Sequence, residues 1–282
     1  MRFAPEPEIE LFAASVRGVV SGWEPLTGEM GEWRDERDDG LAARLAELGW
    51  AELWAGPELL GPTVAGAVEL GRALAPLHLV DEPTLGAPLG VGTRARHAHG
   101  RSHVVLAAPA SGLVLVPCAA GSREPALDAV GTLVGLGGAD AGERLEDASS
   151  RWRAWTAATL GYLAGVADAL LERTVEHVRS REQFGEPLGA LPAVRARLAD
   201  AAVARDGVLL VAWESADPER EQAIARAELA WAGRACRDVT ASALQAHGAI
   251  AFALESGLHR FYRRAKTVQA WTDAVLAATE AP

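Results

Sequence analysis

The sequence predicts an α+β protein, mainly α, with a small β region set between two helical ones. Apolar residues recur at helical spacing over residues 1–80 and again over 147–282. Between them, over 81–146, glycine and proline become frequent and short β-prone runs replace the helical period. The 282 residues, 49% hydrophobic and 23% charged, are enough for a sizeable core in one large or two to three small domains.

In the first region, Ile9, Phe12, Ala13 and Val16 mark one helix, and Leu41, Leu45 and Leu48 mark a second that Gly49 stops. Pro57, Gly61 and Pro62 read as a loop. A third stripe, Val64, Ala67, Val68, Leu70 and Leu74, ends at Pro76. In the middle region, 103–106, 113–116 and 132–134 read as strands, with Gly112 as a turn between the first two, in a domain of four to six strands. The last region reads as a four-helix bundle. Its helices are 152–178, 192–214, a third opened by Asp217 as N-cap with Pro218 behind it and running to Gly248, and a last one through Leu258, Phe261 and Tyr262.

A formal charge of −11 argues against a nucleic-acid surface, and Lys266 is the only lysine among the 27 basic residues. Cys118 and Cys236 stand alone, which fits reduced thiols in a cytoplasmic protein rather than disulfides or a zinc site. His97, His99 and His103 are close in sequence but lie in an irregular segment, so no metal is expected. No run approaches the roughly 20 apolar residues of a membrane span, and no signal-peptide pattern opens the chain.

The stretch that carries chemistry is Arg181-Glu182-Gln183-Phe184-Gly185, set where a long helix opens into a turn. Arginine can fork onto a pyrophosphate, phenylalanine can pack on a base, and glycine permits the sharp turn. The same five residues also read as a solvated helix end with one buried Phe.

Taken together, several pieces resemble the acyl-CoA dehydrogenase family. They are 45–50 (LAELGW), Pro57-Glu58 and 69–76 (ELGRALAP) near the N-terminus. Further on come Arg181-x-Gln183-Phe184-Gly185, Leu198-Ala199-Asp200, Gln245-x-His247-Gly248, Glu255, Leu258 and 262–266 (YRRAK). The resemblance implies an N-terminal helical domain, a middle β domain and a C-terminal bundle that forms the oligomer core. It also implies FAD as cofactor and an acyl-CoA substrate, with a glutamate removing the α-proton while the β-hydrogen leaves as hydride. In the family the two turns act across a subunit interface on the ADP half of FAD. Carried over, Arg181 pairs with the pyrophosphate, Gln183 and Phe184 line the adenosine, and Gln245, Gly248 and Ala249 lie at the phosphates.

The sequence departs from the family in three places. The glutamate position falls on Thr272, and the alternative position used by some relatives falls on Trp155; neither removes a proton, which leaves Asp273, one residue further on, as the remaining catalytic candidate. The Gly-x-Lys-x-Trp-Ile strand pattern that holds the flavin ring is absent between Pro83 and Glu146, and the β region is several dozen residues short. A Gly-Gly-x-Gly turn becomes 248–251 (GAIA).

Features acting on a neighbour's flavin are kept and those serving the chain's own are lost. The expectation is therefore a non-catalytic subunit of an α2β2 acyl-CoA dehydrogenase, without a catalytic residue of its own. Its partner would be a catalytic subunit, its FAD would lie at their interface, and electron-transfer flavoprotein would accept the electrons. Steroid side-chain CoA esters, as in cholesterol catabolism, are the expected substrate class, since a shortened β domain leaves room for a polycyclic acyl group. The alternatives are a self-sufficient homo-oligomer using Asp273, a flavin-dependent oxygenase or biosynthetic relative acting on a non-CoA substrate, and a flavin-free scaffold.

Overall fold

A computed structural model of the chain describes residues 6–24, 37–53, 55–98, 100–108, 112–118, 123–125, 132–135 and 142–280. The first helices are α1 (Pro7–Val20), α2 (Asp39–Ala46), α3 (Leu60–Arg72) and α4 (His78–Leu85). Asp38 caps α2 by accepting from the Leu41 amide, and Gly49, at φ +83, makes the left-handed turn that ends this segment. Trp50 is a core residue whose Nε1 donates to the Leu79 carbonyl at 2.7 Å. Trp54 lies outside the described residues. The change of texture expected at residue 81 falls inside α4, a short helix with Pro83 within it and Gly86 at φ +83 after it.

Among the described residues the β region contains seven strands rather than four to six. They are β1 (Leu89–Val91), β2 (Arg94–Arg96), β3 (His103–Ala108), β4 (Gly112–Pro117), β5 (Arg123–Pro125), β6 (Thr132–Gly135) and β7 (Glu143–Arg144). They form one sheet in the order β5-β6-β2-β1-β3-β4-β7, in which β1 and β3 are parallel and the other pairs antiparallel. The extra strands are two or three residues long, too short to show an alternating pattern in sequence. Gly112 opens β4 instead of lying between strands.

The C-terminal bundle comprises α5 (Ala148–Ser180), then a two-residue hairpin β8–β9 (Glu182–Gln183 with Glu186–Pro187), α6 (Pro192–Glu214), α7 (Gln222–His247) and α8 (His259–Glu280). By length and composition α5 could cross a membrane, but it is the central core helix, buried along nearly all its apolar length. Asp217-Pro218 does not start α7. Asp217 instead closes a turn by accepting from the Glu219 amide, and Arg220 pairs with Glu214 and Glu228 across that turn. The α3 and α5 backbones meet at Gly71, Gly161 and Gly165; a Cβ there would lie 2.0 Å from the Tyr162 carbonyl oxygen, 2.6 Å from that of Val64 and 2.0 Å from that of Val68. One hydrophobic core runs from α1 to α8.

Candidate functional site

The Arg181 motif forms the tip of the β8–β9 hairpin. The Arg181 amide donates to the His177 carbonyl at 2.8 Å, closing α5, and the Leu188 amide returns to the Arg181 carbonyl at 2.8 Å. Phe184 and Gly185 hold φ +58 and +84, the two left-handed residues of a two-residue hairpin turn. That geometry suits glycine and strains phenylalanine, a feature that concentrates at functional sites. Phe184 is not buried, as a bland helix end would have it, but 89% exposed. Gln183 is also exposed, its Nε2 donating to the Glu182 carbonyl at 2.8 Å.

The second motif stands beside it. Gln245 is exposed in the last turn of α7, and Gly248 follows at φ +68, ψ −147, a conformation that essentially only glycine adopts. Ala249 is exposed in the 3-10 turn Gly248–Phe252 that follows, in which Ala251 is buried. The two motifs are joined by the imidazoles of His177 and His247, stacked with centroids 4.2 Å apart. His177 lies one helical turn before Arg181 and His247 two residues after Gln245, so this stack fixes one turn against the other. Burial, followed by the charge of His177, pushes His247 down to about 4, and burial followed by Arg181 lowers His177. His247 is therefore neutral at pH 7. Ile250, Phe252 and Leu254 add exposed apolar surface to this ridge. Arg181, Gln183, Phe184, Gln245 and the Gly248 backbone thus present a cation, amides and a ring outward, a set that suits a nucleotide diphosphate reached from outside the chain.

The positions where a base was sought lie elsewhere. Thr272 is fully buried in α8, its Oγ1 donating to the Gln269 carbonyl at 2.9 Å. Asp273 is on the exposed side of the helix, where its nearest polar partner is Gln269 Nε2 at 3.4 Å. Trp155 is fully buried on α5, and its Nε1 donates to Asp81 Oδ1 at 3.0 Å. The same Asp81 carboxylate receives Arg96 Nε and Nη2 at 2.5 and 2.6 Å. The Arg96 guanidinium also lies 5.4 Å from the centroid of Trp271, next to Thr272. Trp155, Asp81 and Arg96 thus form one buried assembly that reaches the half-buried Trp271 beside Thr272, and its one carboxylate, that of Asp81, is fully engaged. Asp81 and Arg96 could not be singled out in sequence, because neither belongs to a spaced motif and they come from different elements.

Among the described residues no group of three His, Cys, Asp or Glu could hold a metal, and His99 lies outside them. Glu255 and Arg263 are both exposed. The neighbouring Arg264 is buried: its Nη1 donates to the Ala75 carbonyl at 2.8 Å and to Tyr162 Oη at 2.5 Å, tying α8 to the end of α3 and to α5.

Residues 153–272 match the acyl-CoA dehydrogenase C-terminal domain. The chain is 35% identical over 101 residues to acyl-CoA dehydrogenase IpdE2 of Mycobacterium tuberculosis, covering 36% of this chain and 31% of that protein. It is 28% identical over 206 residues to acyl-CoA dehydrogenase FadE27 of the same organism, covering 63% and 55%. The matches thus span less than two thirds of these curated relatives. In three dimensions it resembles a Tcur3481–Tcur3483 steroid ACAD variant, with TM-score 0.74, 20% identity and coverage of 94% and 93%. The ChsE4–ChsE5 complex from Mycobacterium tuberculosis gives TM-score 0.73, 18% identity and coverage of 99% and 96%. Residues 153–272 thus form an acyl-CoA dehydrogenase C-terminal domain, and the chain shares the fold of these solved structures over nearly its whole length.

Proposed function

We propose that this chain is a non-catalytic subunit of a heteromeric FAD-dependent acyl-CoA dehydrogenase. The observation that carries the reading is an asymmetry. The residues matching the family's proton-abstracting positions, Trp155 and Thr272, are buried, and Trp155 is locked onto Asp81. Those matching its nucleotide contacts, Arg181, Gln183, Phe184 and Gln245, are exposed on one ridge with Ile250, Phe252 and Leu254.

The exposed set fits the ADP half of FAD, and the buried set does not fit its reactive ring. FAD, bound mainly by the partner, supplies the hydride acceptor for α,β-desaturation of an acyl-CoA. This chain's part is to bind and orient. Arg181 neutralises pyrophosphate charge, Phe184 covers the adenine, and the backbone at Gly248 and Ala249 faces the phosphates. The base then comes from the partner, a second acyl-CoA dehydrogenase chain in an α2β2 assembly, with electron-transfer flavoprotein taking the electrons onward. The structural likeness to a two-protein steroid ACAD supports a steroid side-chain CoA ester as substrate class. Asp273, exposed and bonded only to Gln269, does not favour a self-sufficient enzyme.

The test is to purify the chain alone and with its partner. The expected outcome is a colourless inactive chain and a yellow active complex. Arg181→Ala should weaken FAD retention by the complex about tenfold to a hundredfold, as for loss of a charge-assisted contact. Yellow, active protein from the chain alone would end the non-catalytic reading. Unchanged FAD content in the Arg181→Ala complex would instead make the chain a flavin-free scaffold.

A further inference from the structure

A second recess, separate from both sets of residues above, lies where α1, α3, α5 and α8 meet. It is a cleft of about 610 Å³, within the range of small-molecule sites. Trp23, Leu74 and Phe261 give it apolar walls, and Arg17, Arg72, Arg173 and Arg260 give it guanidinium groups. Three of these arginines, Arg17, Arg72 and Arg260, are engaged within the chain. Arg17 forks Nε and Nη2 onto Glu69 at 2.9 and 2.7 Å, and Arg72 is paired with Asp168 and Glu172. Arg173 differs: its guanidinium lies 5.0 Å from the centroid of Phe261 and forms no ion pair among the described residues. The one acidic side chain on the wall not used in these pairs is Glu255, which is exposed.

A guanidinium laid on an aromatic face keeps its edge N–H groups available, and the ring restricts its rotamers, so less entropy is lost when an anion arrives. An apolar wall beside such a fork is complementary to a molecule with an apolar body and one anionic end. We propose that this cleft binds an amphiphilic carboxylate, with the carboxylate on Arg173 and the apolar body along Phe261, Leu74 and Trp23. The overall charge of −11 disfavours general accumulation of anions, so selective binding of an acid reports this local site. The proposal does not depend on how FAD is held.

The experiment titrates decanoate and, separately, decanol into the protein in its native assembly, followed by calorimetry. The expected result is saturable decanoate binding at one per chain, with decanol at least tenfold weaker. Arg173→Ala and Arg173→Gln should each weaken decanoate about tenfold or more, with an unchanged melting temperature as the control for folding. Arg181→Ala should leave decanoate binding as it is, which separates this cleft from the hairpin ridge. Equal affinity for acid and alcohol, absence of binding, or indifference to both Arg173 variants would overturn the proposal.

Discussion

The Asp81 carboxylate has no exposure to solvent and takes three hydrogen bonds, two from Arg96 and one from Trp155. A buried ion pair of this kind adds little over a well-packed apolar filling, but breaking one half strands the other charge in the interior. Asp81→Asn should therefore destabilise the protein by about 3–5 kcal/mol, as seen in the denaturant midpoint. Asp81→Asn with Arg96→Met, which removes both charges, should recover a large part of that loss. A simple sum of the two single costs would show that the pair is not coupled. Sequence counting located Trp155 and Thr272 because each sits at a fixed distance from a motif. It could not locate Asp81 or Arg96, whose partnership exists only after α4 and β2 have been brought against α5. The sequence did identify Phe184 as a special residue, but the bland alternative of a buried ring fails because the two-residue hairpin leaves it 89% exposed.

At the level of elements, α3 and α5 were legible because apolar residues recur at helical spacing over several turns, whereas α6, which buries only Ala201, Val208 and Ala212, is marked by Pro192 at its start. What was not legible is set by short range or by tertiary contact. Helix α4 has eight residues with a proline inside, and β1, β2 and β7 have two or three residues each. The start of α7 moved to Gln222 because Asp217 and Arg220 find partners that stabilise a turn ahead of it. The α3–α5 crossing was equally invisible, since it depends on absent side chains rather than present ones. With 2.0 Å between the Val68 carbonyl oxygen and a Cβ built on Gly165, neither backbone can yield without separating the helices. Gly165→Ala should cost about 1–3 kcal/mol or more through overpacking, measured as a lower denaturant midpoint. Gly18→Ala, on exposed α1 with nothing within 4 Å of the new Cβ, is the control and should be neutral or slightly stabilising.

For the whole molecule, the stacked pair His177–His247 ties the hairpin after α5 to the end of α7, so its protonation state bears on global stability and on the exposed ridge together. Burial and mutual repulsion hold His247 at about 4, below the ordinary histidine value of about 6.5. The unfolded chain therefore takes up this proton at a higher pH than the folded one. Above about pH 6.5 neither state is protonated there and the full stability is present. As pH falls from about 6.5 to about 4 the unfolded state binds more protons and stability declines, and below about 4 this contribution levels off. His177, lowered for the same first reason of burial, acts in the same direction. His247→Phe preserves a ring for stacking and removes the proton site, so it should flatten the pH dependence of the melting temperature over that window. If the ridge orients FAD for a partner, retention of FAD by the complex should fall over the same window in the parent and less steeply in His247→Phe. An equal acid slope in both proteins would show that the carboxylates, not this imidazole pair, govern the acid limb.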